Sequence, residues 1–282
     1  MKPKILVTVS SELFSEGAIR RAAYLARRFE GELALLYVIE ERVLRMIDRT
    51  ASYALTAAEI ERTEEEVLRE IRGRAQGMLF ERAALLARDE GAQIKEWEIV
   101  QGEYVAVLCE HCKRRHIDLV VLSHERAAPL GAQLFAKELP PLWIERGPWR
   151  PVRRVLAVAS SLSPDAGRRL PPVALEFAHR LEAELHLRYV RDPAGTRPEQ
   201  EVAREVEEFE AYCARELPKL GRKTSHAVER GPVERLALLG TERLAVELLI
   251  TNRELEPASP GLFRRDPRRR LLLAAPCSTL FI

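Results

Sequence analysis

Short apolar runs alternate along this chain with longer stretches whose apolar positions recur every three or four residues. Ile5 to Val9 is a β-branched run of the kind a strand buried on both faces requires. After it, Ile19, Ala22, Ala23, Ala26 and Phe29 fall on one helical face, with Ser15 placed to cap that helix and Gly31 to close it. Leu33 to Ile39 predicts a second strand. A charged helical stretch follows from Ala57 to Asp89, with Gly91 as its stop. Lys95 to Val100, Leu119 to Leu122 and Leu142 to Glu145 predict three more strands, and Val105 to Arg115 a helix. Strands separated by helices imply right-handed crossovers and a parallel sheet covered on both faces.

The pattern then repeats. KILVTVSS (Lys4 to Ser11) returns as RVLAVASS (Arg154 to Ser161), and ELALLYV (Glu32 to Val38) as ELHLRYV (Glu184 to Val190). Gly102 to Ser123 aligns without a gap on Gly231 to Asn252. A period of roughly 130–150 residues is a duplicated domain, because solenoid repeats are far shorter. The expected domains are residues 1–147 and 153–282, joined by the proline-interrupted GPWRPV segment, Gly147 to Val152. In the second copy the middle helix runs near Pro198 to Leu217 and the last strand over Thr279 to Ile282. That strand and Leu142 to Glu145 are expected to pair within one chain, giving an internal pseudo-dimer and removing two open edges; a further homodimer stays open.

Composition narrows the function classes. Hydrophobic residues are 46% of the 282, no apolar run approaches the roughly 20 residues of a membrane span, and MKPKILV runs into a strand without a secretory block. The 45 basic and 43 acidic residues leave a formal charge of +2, so charge alone makes no case for nucleic acid or membrane. Cys109, Cys112, Cys213 and Cys277 are too few and scattered for a disulfide framework. The expectation is a soluble cytoplasmic protein.

ILVTVSSELFSEGAIRRAAYLA at Ile5, HIDLVVLS at His116 and LLLAAPCSTLFI at Leu271 resemble universal stress protein domains, and the whole chain resembles a tandem pair of them. The resemblance implies two flavodoxin-like (HUP-type) domains, each a five-stranded parallel sheet with helices on both faces. Any ligand is then expected at the carboxyl ends of strands one and four, where the winding reverses. The candidate ligand-binding residues on that basis are Ser10, Ser11, Val38, Ser123 and His124 in the first copy. In the second they are Ser160, Ser161, Val190, Thr251 and Asn252, with Arg264 and Arg265 from a basic cluster.

ATP-binding relatives carry an acidic residue at the end of strand one and a G-x2-G-x9-G-(S/T) loop after strand four. Here the acidic position is Ser10 or Ser160, and LSHERAAPLGAQLF and TNRELEPASPGLFRR lack the first glycine pair. Glu125 and Glu254 are expected where phosphates would go, and Pro129, Pro140 and Pro141 restrict the segment after strand four. These departures predict a non-catalytic stress protein that binds a protein or a small ligand and needs no cofactor. Two alternatives are an ATP- or AMP-binding protein with a non-standard loop and Arg264 and Arg265 as anion contacts, and a hydrolase built on Ser10 and His124. Cys109, Cys112 and His116 have zinc-like spacing on a helix, but no second ligand pair accompanies them, and core packing is the expectation. The apolar stretch Val43 to Leu55 is expected to cap the sheet edge.

Overall fold

The computed structural model describes residues 2–40, 57–162, 170–191, 198–253, 255 and 266–282. Val43 to Leu55, Glu254, Arg264 and Arg265 lie outside the described residues. The chain divides into two compact units, Met1–Arg126 with Lys137–Pro140, and Ala127–Ala136 with Pro141–Ile282.

The first unit contains β1 (Lys4–Ser10), α1 (Glu16–Arg28), β2 (Glu32–Glu40), α2 (Ala57–Arg74), a π turn at Ala75–Leu79, α3 (Phe80–Asp89), β3 (Ile94–Gly102), α4 (Tyr104–Arg115) and β4 (Leu119–Ser123). Its strands are all parallel, in the order β3-β2-β1-β4. The crevice where winding reverses therefore lies between β1 and β4, at their carboxyl ends. Ser15 caps α1, its Oγ accepting from the Ala18 N–H at 3.3 Å. The left-handed residue after α1 is Glu30 at φ 52°, not Gly31. Glycine is needed at 31 because a Cβ there would sit 2.5 Å from the Pro3 carbonyl oxygen. The segment after β4 is no open loop. It is α5 (His124–Phe135), which begins directly at the strand end and absorbs Pro129 at the loss of one bond to the Glu125 carbonyl.

The second unit contains β5 (Leu142–Glu145), β6 (Arg154–Ala159), α6 (Leu170–Leu181), β7 (Glu184–Arg191), α7 (Glu199–Glu216) with a 3-10 turn at Leu217–Leu220, β8 (Thr224–Arg230), α8 (Val233–Leu244), β9 (Leu248–Thr251), α9 (Pro267–Ala274) and β10 (Ser278–Phe281). The strand order is β5-β10-β9-β6-β7-β8, and only β5 runs antiparallel to its neighbour. β5, the last strand of the first repeat, thus sits in the second unit, with Trp143 opposite Leu280 and Ile144 opposite Thr279. Both residues of the central pair are fully buried.

The duplication extends to backbone strain. Glu182 at φ 56° repeats Glu30, and Ala245 at φ 47° repeats His116 at φ 52°, each at a helix-to-strand junction. Gly102 and Gly231, at φ 154° and 150°, occupy matching turns before α4 and α8.

Candidate functional site

Polar side chains already fill the carboxyl ends of β1 and β2 in the first unit. Ser123, the last residue of β4, accepts the Arg126 N–H on its Oγ at 3.3 Å and so caps the start of α5. That fixes Arg126 in the first helical turn with its side chain turned inward, and the residue is only 9% exposed. The guanidinium lies over the Tyr104 ring, 3.9 Å from its centre, and its Nη2 stands 2.5 Å from Glu40 Oε1 at the end of β2. The Glu40 contact is a close approach of opposite charges and is not aligned as a hydrogen bond. Glu12 Oε2 is a more distant partner at 3.8 Å. Beneath the guanidinium, the Tyr104 hydroxyl hydrogen-bonds the Thr8 hydroxyl of β1. Burial pushes the Tyr104 phenol up to about 12, against the pull of Thr8 and Arg126, so the ring stays neutral and its face electron-rich. A single side chain thus reaches from α5 across β1 to β2.

The expected residues surround this cluster. Ser10 ends β1, and its Oγ accepts from the Glu12 N–H at 3.4 Å while its own N–H donates to the Leu13 carbonyl. Ser11 N–H donates to the Val38 carbonyl at 3.1 Å, and the Ser11 hydroxyl is buried without a hydrogen-bond partner. His124 is half-buried as the first residue of α5. Glu125 is exposed on that turn and brings no carboxylate to the site, contrary to the sequence expectation. The carboxylates at the site are Glu40 and Glu12.

In the second unit a carboxylate plays the filling part. Glu205 projects from α7 and is 8% exposed. It accepts from the Tyr189 hydroxyl at 2.5 Å, the Leu162 N–H at 3.1 Å and the Ser161 hydroxyl at 3.3 Å. It therefore caps the chain where it leaves β6. Asn252 Nδ2 donates to the Ser161 carbonyl at 3.4 Å, tying the end of β9 across the crevice. Thr251 is fully buried, and its hydroxyl and Asn252 Oδ1 have no hydrogen-bond partner. Ser160 is half-buried just beyond β6, and Val190 is buried within β7.

Residues 1–137 match the universal stress protein family. The matched segment spans the first copy, just under half of the chain. No curated protein matches it. Among solved structures it is similar to a protein described as a universal stress protein from Pseudomonas aeruginosa UCBPP-PA14, at 16% identity and TM-score 0.60, covering 100% of this chain and 93% of that one. It is also similar to a universal stress protein from Archaeoglobus fulgidus DSM 4304, at 14% identity and TM-score 0.58, covering 98% and 95%. At these identities the likeness shows the fold, and it spans both copies.

Within this chain the residues that sequence reading missed are Thr8, Glu40, Tyr104, Arg126 and Glu205. The available signals were faint: Glu40 is a charge closing an apolar run, and Tyr104 follows the strained Gly102. Cys112 is buried and Cys109 half-buried, like Thr241 and Leu238 at the matching positions of α8, which agrees with core packing. His116 is exposed in the left-handed cap of α4, and no group of metal-ligating side chains occurs among the described residues. No described helix is long and apolar enough to cross a membrane.

Proposed function

We propose that this chain is a cytoplasmic, non-catalytic binding protein of the universal stress protein family that works without the family's ATP loop, through a protein partner or a small polar ligand. One observation carries the reading. In the first unit Arg126, stacked on Tyr104 and paired with Glu40, lies across the β1 and β2 ends where a nucleoside would otherwise rest. The positive charge there is already matched by Glu40, and a phosphate brought near Glu40 and Glu12 meets repulsion on the order of a few kcal/mol. In the second unit Glu205 already accepts from three protein donors, again with a carboxylate close to the crevice.

The second reading is nucleotide binding confined to the second copy. It is supported by the Thr251 hydroxyl and Asn252 Oδ1, which are buried acceptors with hydrogen-bonding capacity to spare. Native mass spectrometry of the full chain with Mg-ATP and with AMP separates the two. The proposal expects bare 32.1 kDa protein at about 100 μM nucleotide, the upper range of ordinary ligand affinities. A stoichiometric adduct lost on Asn252→Ala makes the second reading the correct one.

A further inference from the structure

The opposite end of the first unit holds a depression that the family site does not explain. It has a volume of about 450 Å³ and lies where α1 and α3 end and β1, β2 and β3 begin. Its floor is small: Ala26, Gly31, Gly91 and Ala92. Its walls carry Lys2, Arg27 and Lys95, with Glu30 as the acidic member. Lys4, one strand position away, is already paired with Glu96 at 3.1 Å. By contrast, Lys2, Arg27 and Lys95 have no carboxylate within 4.0 Å among the described residues.

Helix ends usually explain such cations, because exposed carbonyls at a C-terminus attract them. Here five of those carbonyls already accept from backbone N–H groups. Phe29, Glu30 and Gly31 N–H donate to Leu25, Arg27 and Ala26, the last at 2.7 Å, and Glu90, Gly91 and Ala92 N–H donate to Ala87, Arg88 and Ala87. Arg27 runs close along Gly91, which sits at φ 77° and where a Cβ would stand 3.0 Å from Arg27 Cδ, and its guanidinium lies 5.7 Å from the centre of the Tyr24 ring. The left-handed turns at Glu30 and Gly91 thus hold a shallow basin open between two closed helix ends.

We propose that this basin binds a compact, multiply charged oxyanion of the phosphoryl class, held by Lys2, Arg27 and Lys95. Three cations of one sign around a small floor set up a local field that a single such anion neutralises. Arg27 supplies the planar fork for two oxygens, and the two ammonium groups act as point charges. The near-neutral chain and the small extent of the basin favour a small anion over a nucleic-acid backbone.

The test is calorimetric titration of the full-length protein with sodium pyrophosphate at low salt. Submillimolar binding is expected, with about tenfold loss in Arg27→Gln and again in Lys95→Gln, the loss of one charge-assisted contact each. Both residues are exposed, so folding is not at stake, and thermal scans check that. Arg88→Gln removes an exposed charge nearby but outside the basin and is expected to change nothing. Absence of binding, or equal weakening by Arg88→Gln, overturns the proposal. So does tighter binding of a single-stranded oligonucleotide than of pyrophosphate, which would mark a diffuse backbone contact.

Discussion

Arg126 is a costly residue to bury, and the molecule holds it with an aromatic face and a carboxylate of its own. Removing one partner leaves the other charge without its match, which costs about 3–5 kcal/mol in buried pairs, whereas replacing both with apolar groups is often neutral. Urea unfolding is therefore expected to show a large loss for Arg126→Met and a much smaller one for Arg126→Met with Glu40→Leu. Equal losses in both would mean that the pair is not coupled. Two buried histidines set the acid limit. Burial lowers the pKa of His111, which faces Glu98, Arg114 and Arg115, and of His186, which faces Ser225, Arg188 and Glu184. Their neutral forms are favoured in the folded state, so the contribution is complete above about pH 6.5 and is lost as pH falls below it. Glu98 and Asp266 are lowered as well, for a different reason: burial acts against their charged forms, but Arg114 and Arg268 outweigh it. Their contribution is lost only below about pH 4.5, so it does not overlap. The urea midpoint is expected to drop between pH 7 and 5, and His186→Gln to flatten that slope.

At the scale of elements, the apolar runs made the strands and helices legible, since a run such as Ile5 to Val9 has few other uses. Ser15, Gly91 and the short β5 were equally readable because each follows from local chemistry. The site was not legible, for a physical reason. Arg126, Glu40 and Glu205 are charged residues in charged surroundings, and their burial is decided by Tyr104 and Tyr189, which arrive from other elements. Periodicity sees only neighbours along one element. The glycines show the same contrast. A Cβ at Gly73 in α2 would have nothing within 4 Å, while at Gly31 it would meet the Pro3 carbonyl oxygen at 2.5 Å. Gly73→Ala is expected to raise stability by about 0.4–1 kcal/mol. Gly31→Ala is expected to lower it by about 1–3 kcal/mol, because backbone must move. Thermal melts of the two variants shifting in the same direction would contradict this packing.

For the molecule as a whole, the question is which strand β5 chooses. Its carboxylate, Glu145, is buried and accepts from Trp143 Nε1 at 2.8 Å and from the Ser278 hydroxyl at 2.9 Å, while Ser278 Oγ accepts the Arg146 N–H. The observed register puts Trp143 on Leu280 and Ile144 on Thr279. A pairing of β5 with β5 of a second copy, centred on the same position, would set Trp143 against Trp143 and Glu145 against Pro141, which has no hydroxyl to offer. An unpaired buried acceptor costs about 1–3 kcal/mol on each side of such a dimer, and two tryptophans must share one central site. The pairing is thus heterotypic by composition, and the duplicated chain supplies both halves. An Ile144→Cys, Thr279→Cys variant places two thiols on directly opposed strand residues. Native Cys277 does not compete, since burial pushes its thiol up to about 12. Mild oxidation is expected to give an intrachain disulfide in a protein that remains a 32.1 kDa monomer. Covalent dimers forming instead would show that the strand prefers its copy in another chain, and that Glu145 does not select its partner.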